Sequence, residues 1–251
     1  MTHRILHVAT YNIHKGFSHF NLRLVLHDLK EQLHIMRPDV LFLQEVQGTH
    51  SRHAKRHAHW PDKSQYEFLA TEVYTDFAYG KNAVYPEGHH GNAILSRFPI
   101  VNWENEDVSA HPFEQRGMLH CEIAVPGWDQ HLHCINVHLA LFAQGRRKQF
   151  TAIKDRIARM VPEDAPLIIA GDFNDWRAEA CHMLAGELDL KEAFGLAQGA
   201  PARSFPSALP LFRLDRIYLR GFEVKKAEVH SGEPWSKISD HAALSAVLAR
   251  L

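Results

Sequence analysis

The sequence is short of the features that mark most specialised classes. Three cysteines in 251 residues, Cys121, Cys134 and Cys181, stand at no metal-type spacing. They leave one over, which argues against both a zinc ribbon and a disulfide scaffold. Cys121 and Cys134 are expected across one hairpin that turns near Pro126-Gly127, as reduced thiols in the core. No apolar run approaches the ~18 residues of a membrane-spanning helix. The N-terminal residues Ile5, Leu6, His7, Val8 and Ala9 alternate like a strand and lack a signal peptide's long apolar stretch. A cytoplasmic protein with no stable membrane insertion is expected. Neither sign of charge dominates, with 28 Lys and Arg against 29 Asp and Glu, so the overall basic excess of a duplex-binding protein is missing. Ser/Gly-rich linkers and low-complexity tracts are also missing, and 45% of the residues are hydrophobic. One globular domain over residues 1–251 is expected.

What is present is a strand–helix–strand unit that occurs twice. Arg4 to Asn12 reads as a strand. A helix follows, with Leu22, Val25, Leu26, Leu29, Leu33 and Met36 at helical spacing and Asn21 as N-cap, and Pro38-Asp39 stops it. Val40-Leu41-Phe42-Leu43 is a short apolar strand covered on both faces, ending in Gln44-Glu45. In the second half Leu132 to Val137 is a strand. The following helix carries Phe150, Ile153, Ile157 and Met160 on one face and is broken by Pro162 and Pro166. Leu167-Ile168-Ile169-Ala170 is again a buried strand, ending in Gly171-Asp172-Phe173-Asn174. Asn12-Ile13-His14 and Asn136-Val137-His138 close the first strands at what read as equivalent points, and Glu45 and Asp172 close the second ones. Strands joined by such a crossover run parallel, so their polar ends emerge on one edge, where open α/β sheets bind ligands. Further strands are expected at Asn92 to Ser96, Leu119 to Val125, Leu214 to Leu219 and Ala242 to Leu248.

Polar residues at the ends of apolar strands need a partner or a purpose. Glu45 suits a hard cation such as Mg²⁺ as well as it suits an N-cap or a salt bridge. Asp172, Asn174 and Asp175 suit a turn or a ligand-facing loop. Asp215 sits inside an apolar run, and Ser239-Asp240-His241 precedes one. An Asp215–His241 pair would satisfy both burials and fix the imidazole tautomer. His138 gains interest by sharing an edge with Asp172. Asn92, Arg116, Arg146 and Trp176 are candidates to contact a phosphate or its substituent, beside ordinary packing or surface roles. His50, His53, His57 and His59 crowd a basic stretch around Arg52, Lys55 and Arg56. No cysteine or carboxylate closes a Zn²⁺ site there, so a solvated loop is expected, with a substrate rim as the alternative.

Tyr11-Asn12, Leu43-Gln44-Glu45-Val46, Gly171-Asp172-Phe173-Asn174, Asp215 and Ser239-Asp240-His241 together resemble the endonuclease/exonuclease/phosphatase superfamily, which includes DNase I. The strings Asn12-Ile13-His14-Lys15-Gly16-Phe17 and Tyr85 to Ala93 resemble the bacterial YbhP group within it. The resemblance implies a four-layer α/β sandwich, two packed mixed β-sheets flanked by helices and built from two similar halves. It implies Mg²⁺ or Mn²⁺ held by Asn12 and Glu45 with Asp240 close by, and Asp172 activating the attacking water. It also implies phosphoryl oxygens bound by Asn174 and His138, and charge stabilised by His241, which Asp215 orients. Abasic-site endonucleases of this superfamily carry Tyr-x-x-Asn where this chain reads Asn136-Val137-His138-Leu139, which lowers that subclass.

The expected function is therefore a metal-dependent phosphoesterase acting on phosphodiesters, with a nuclease-type substrate ahead of a phospholipid headgroup, an inositol-type phosphate or another phosphomonoester. A nuclease predicts a basic cleft around Arg116, Arg146, Arg147, Arg177 and Arg203. A lipid-directed enzyme predicts an exposed apolar rim, for which Phe205-Pro206 and Ala208 to Phe212 are the candidates. A catalytically silent scaffold on the same fold is the alternative from another class.

Overall fold

The computed structural model describes residues 4–18, 23–176, 184 and 186–251. Asn21, Leu22, Arg177 and Cys181 lie outside the described residues. The elements, in chain order, begin with β1 (Ile5–Asn12), α1 (Leu26–Met36), β2 (Val40–His50), α2 (Ser51–Arg56), α3 (Gln65–Ala70), β3 (Asp76–Tyr85) and β4 (Gly88–Ser96). The second half contributes β5 (Ile100–Asp107), β6 (Gly117–Ile123), β7 (Leu132–His138), α4 (Ala143–Met160) and β8 (Leu167–Asp172). After these come α5 (Gly186–Leu188), β9 (Lys191–Glu192), α6 (Ala193–Gln198), β10 (Asp215–Arg220), β11 (Phe222–His230) and β12 (Ala243–Arg250).

Two six-stranded sheets result, in the orders β11-β12-β1-β2-β4-β3 and β5-β6-β7-β8-β10-β9. Each has one parallel pair, β1 with β2 and β7 with β8, flanked by antiparallel neighbours. This is the expected four-layer sandwich with two similar halves. Strand alternation builds it. In β2, Val40 and Phe42 point into the layer between the sheets, while Leu41 and Leu43 point out to Leu26, Leu29 and Leu33 of α1. In β8, Ile168 and Ala170 point inward, while Leu167 and Ile169 meet Phe150, Ile153 and Ile157 of α4. Burial of one such Leu, Ile or Phe side chain is worth about 1.5–3 kcal/mol, so a one-residue slip in either strand would forfeit several of them at once.

Cys121 and Cys134 are direct partners in the β6–β7 ladder, both buried and both free thiols. α1 starts at Leu26, after Val25, which contributes no side-chain cap, and ends where Arg37 turns left-handed (φ 47°) ahead of Pro38.

The ladders correct one sequence expectation. Asn12 pairs with Gln44, one residue before Glu45, and His138 pairs with Asp172. Asn136 pairs with Ala170, two residues before Asp172, so measured from the carboxylates it lies one residue deeper than Asn12 and is not its equivalent. Asn136 bridges the sheets. It donates to the carbonyls of Leu43 (2.9 Å) and Ala93 (2.8 Å) and accepts from Gln44 Nε2 (2.8 Å). The shared Asn-x-His string is out of phase by one residue.

The histidine-rich stretch is not a solvated loop. Ser51–Arg56 forms α2, and the His53 and His57 rings stack on each other (centroids 5.6 Å apart) and pack against Phe17. His53 also stacks on Trp60 at 5.3 Å. A second imidazole cluster lies on the outer face of the other sheet. Arg156 Nε donates to His120 Nδ1 (3.1 Å), and His120 Nε2 faces His133 Nδ1 (3.0 Å). Burial first, then Arg156 and His133, push His120 down to about 4.

Candidate active site

The parallel pairs deliver Asn12, Glu45, His138 and Asp172 to one edge of the sandwich, and Asp215 and the Ser239–His241 turn join them there. Three local devices fix the geometry. First, the β2–β4 register shifts between Leu43 and Val46, and Glu45 takes a left-handed conformation (φ 56°). A bulge of this kind re-aims a side chain that plain alternation would have sent into the sheet. Second, Gly171 adopts φ +145°, and a Cβ there would lie 1.9 Å from the Val137 carbonyl oxygen. Only glycine lets β8 come this close to β7 just before Asp172. Third, Ser239 Oγ donates to the Asn12 carbonyl (2.7 Å) and accepts from the His241 backbone N–H (3.2 Å), which ties the C-terminal turn to the end of β1.

Asp172 is the hub. Its Oδ1 accepts from the backbone N–H of Asn174 (2.9 Å), and its Oδ2 accepts from Asn12 Nδ2 (3.2 Å). His138 Nε2 and His241 Nε2 face the same Oδ2 at 3.4 and 3.7 Å. Burial and the neighbouring Asp215 carboxylate push Asp172 up to about 6, against the opposing pull of His241 and the hydrogen bonds from Asn174 and Asn12. Asp215 Oδ2 lies 2.8 Å from His241 Nδ1, so the pair expected from the sequence is formed. Burial works against a charged His241, but Asp215 and Asp172 outweigh it and raise the imidazole to about 10. His138 has no such carboxylate behind it. Burial, and then the Arg116 and His241 charges, hold it well below the usual histidine range.

The remaining predicted residues divide. Arg116 Nη1 lies 3.5 Å from His138 Nδ1, and its Nη2 is paired with Glu114 (3.1 Å). Asn174, at φ 47°, donates its side-chain amide to the Leu139 carbonyl (2.9 Å). Asn92 is buried and donates to the Gly117 carbonyl (3.1 Å), linking the sheets. Trp176 is half exposed and stands edge-on to Phe212 and Phe205. Arg146 does not line a cleft. It is buried and donates to the carbonyls of Ala140 and Leu141, which support the loop after β7.

Three residues escaped the sequence reading. His14 and Lys15 adopt φ 45° and 57° just after β1, and Gln65 Nε2 holds the Lys15 carbonyl at 2.7 Å. Left-handed backbone at two non-glycine residues costs about 1 kcal/mol or more each, and such strain gathers at functional sites. It brings Lys15 Nζ to 3.7 Å from Glu45 and His14 Nδ1 to 3.4 Å from Asp240. His90, half-buried on β4, is pushed down to about 4 by burial and then by Lys15. The only signal for this turn was the string after Asn12, where His14, Lys15 and Gly16 follow a strand directly.

The donor set decides which cation fits. Glu45 and Asp240 supply carboxylates and Asn12 an amide, a hard oxygen set suited to Mg²⁺ or Mn²⁺. Burial opposes ionisation of Glu45, yet Lys15 and His14 hold its carboxyl below the ordinary range, so it is an anion at neutral pH. Asp172, Asp215 and His241 also place ligand-type atoms within 4.8 Å of one another. That trio is unsuited to a cation, because the protonated His241 already occupies Asp215.

Residues 9–241 match the Endonuclease/Exonuclease/phosphatase family model. The chain belongs to that family. Among curated relatives it is 46% identical over 239 residues to YbhP of Escherichia coli K12, described as uncharacterized, covering 95% of this chain and 94% of the relative. Among solved structures, an endonuclease/exonuclease/phosphatase from Beutenbergia cavernae superposes with a TM-score of 0.76 at 21% identity, over 98% of this chain and 72% of the other. The human Nocturnin catalytic domain superposes with a TM-score of 0.75 at 20% identity, over 100% and 95%. Both likenesses extend the family assignment to the fold.

Proposed function

We propose that this protein is a divalent-cation-dependent phosphodiesterase. The observation that carries the reading is the Asp172 carboxylate, buried at the sheet edge, raised to about 6 and held by Asn12 and Asn174 between two histidines of unlike charge. A base near that value is ionised at neutral pH and still able to take a proton, and such a group contributes ~10²–10⁴-fold. Asp172 accepts the proton of a water aligned with the phosphorus. His241, kept cationic and oriented by Asp215, faces the non-bridging oxygens as charge builds on them. His138 and Asn174 hold the phosphoryl group, with the Arg116 guanidinium behind His138. The water oxygen bonds to phosphorus as one ester P–O bond breaks, which yields a phosphomonoester and an alcohol. Asn12, Glu45 and Asp240 would hold Mg²⁺ or Mn²⁺, which supplies Lewis-acid neutralisation of phosphoryl or leaving-group charge. The completeness of this set favours a working site over a silent scaffold.

The test is hydrolysis of bis(p-nitrophenyl) phosphate and p-nitrophenyl phosphate by pure protein with Mg²⁺, with Mn²⁺ and with EDTA, alongside D172A. Metal-dependent cleavage of the diester that disappears in D172A is the expected result. Preference for the monoester, or turnover that survives in D172A, would overturn the reading.

A further inference from the structure

The mouth of the site is lined with large apolar side chains that face solvent. Among the described residues sixteen large hydrophobics are exposed, and seven of them lie on loops beside the catalytic groups, grouped into two lips. The first lip combines Phe113 (93% exposed) with Leu141 and Phe142 (76%). Leu141 and Phe142 follow the end of β7, three and four residues beyond His138, Phe113 lies on the β5–β6 loop, and Leu141 N donates to Glu114 (3.0 Å), the partner of Arg116. These three side chains share one cavity of about 930 Å³ with Arg116, His90 and Lys148. The second lip is the turn Phe205–Phe212, with Leu209 (68%), Leu211 and Phe212 exposed and Trp176 against its side. It is fastened to the catalytic turn. Ser207 N donates to the Asp240 carbonyl (2.7 Å), Ser207 Oγ to that of Ser239 (2.5 Å), and the Phe205 ring lies 5.0 Å from His241.

Charge on the lips is of one sign. From Gln130 to Lys154 no acidic residue occurs, and Arg147 and Lys148, just after Leu141 and Phe142, are exposed. From Ala193 to Leu214 none occurs either, while Arg203 and Arg213 do. Glu114, the acid on the first lip, is neutralised by Arg116. Apolar patches of this kind on a monomer mark an interaction site, and leucines and phenylalanines among cations are the composition that beds into an anionic lipid surface. A single-stranded nucleic acid would instead call for aromatic platforms along a basic track. Phe113, Phe142, Trp176 and Phe212 do offer rings here, but Leu141, Leu209 and Leu211 interrupt them, and Arg146, which would extend a basic track, is buried in the fold.

We propose that the two lips seat this protein on the surface of a bilayer containing anionic phospholipid, and that the substrate is a lipid phosphodiester presented from that surface. The proposal rests on the phosphodiesterase reading. Water adds at phosphorus and one ester P–O bond of the lipid breaks. The leaving oxygen takes up a proton that the attacking water gives up, and a lipid-derived phosphomonoester and an alcohol result. The lips lie outside the hydrogen-bonded catalytic set, so they select the substrate without altering the chemistry.

The experiment is flotation of the full chain with vesicles of phosphatidylcholine alone and of phosphatidylcholine with phosphatidylglycerol, together with phosphate-ester turnover in those vesicles. The variants are L209D/L211D and F113D, and bis(p-nitrophenyl) phosphate hydrolysis serves as the folding control. The wild type is expected to float with the anionic vesicles and to hydrolyse their lipid. Each variant should bind them roughly tenfold less while retaining soluble-diester turnover. Wild type that stays with the soluble fraction, or variants that float as well as wild type, would overturn the surface. Cleavage of single-stranded DNA that falls in the same variants, with vesicles untouched, would replace lipid by nucleic acid. Absence of soluble-diester turnover in wild type would count against the hydrolase reading alone, because flotation is scored without it.

Discussion

His138 and His241 face the same oxygen of Asp172, at 3.4 and 3.7 Å, in opposite charge states. The difference comes from what stands behind each ring. Asp215 lies 2.8 Å behind His241, and Arg116 lies 3.5 Å behind His138. Environments that push paired titratable groups apart assign their roles, one neutral donor and one cation.

Replacing Asp215 by Asn removes the carboxylate that fixes the His241 tautomer and charge. D215N should lose roughly 10²-fold or more in kcat with KM little changed, because the interaction lost matters most as charge develops. The low-field proton NMR signal of the His241 Nδ1–H should disappear in the same variant. A kcat within twofold of wild type would remove His241 from the charge-stabilising role.

Glu45 is the carboxylate at the bulge of β2. E45Q keeps its volume and its hydrogen bond to Asn12 while removing the charge. Mn²⁺ affinity, followed by calorimetry or electron paramagnetic resonance, should weaken by about 10–100-fold, in the range seen when support for a metal ligand is lost. Unchanged affinity would move the cation elsewhere.

The His120 cluster sets an acid limit on stability that is separate from catalysis. His120 is held at about 4 in the folded chain, against 6.5 for the free group. Between those values the unfolded state binds the extra proton, so stability falls as pH drops from 6.5 toward 4. Above 6.5 the contribution is flat. Thermal melts of wild type and H120Q across pH 7.5 to 4.5 should converge at acid pH, with the steeper loss in wild type. Parallel profiles would show that His120 is not the titrating group.

Gly171 is the narrowest point between β7 and β8. Ala there must displace the Val137 carbonyl and adopt a backbone angle that alanine avoids. G171A should cost about 3 kcal/mol or more, read as a lowered urea midpoint. A variant as stable as wild type would mean that the two strands part easily.

Much of this arrangement was readable in sequence order. Asn12, Glu45, His138, Asp172, Asp215 and His241 stand where short apolar runs end in polar side chains, and burial makes such residues conspicuous. The uninterrupted apolar run Val40-Leu41-Phe42-Leu43 announced a strand covered on both faces, and the two faces are divided between the inter-sheet layer and α1. Other parts depended on pairing partners that lie far away in the chain. Asn136 looked like the twin of Asn12 because the strings match, yet the ladder register sets it one residue deeper. Arg146 looked like a cleft cation because arginine usually faces water, yet two carbonyls of its own loop claim it. His14 and Lys15 reach Asp240 and Glu45 through left-handed backbone that side-chain chemistry does not announce. The histidines around α2 read as a loop because no metal closure accompanied them, and the rings of Phe17 and Trp60, packed against His53 in space, are what hold it half-buried.

The amide clasp between Gln44 and Asn136 joins one sheet to the other directly beneath the reactive edge. Asn12 and Glu45 belong to the first sheet, and His138, Asp172 and Asp215 to the second, so neither half owns a catalytic centre. Turnover therefore counts docked molecules only. During refolding, its return should trail any probe that senses a single sheet, such as Trp103 on β5, and the lag between the two signals would time the docking step itself.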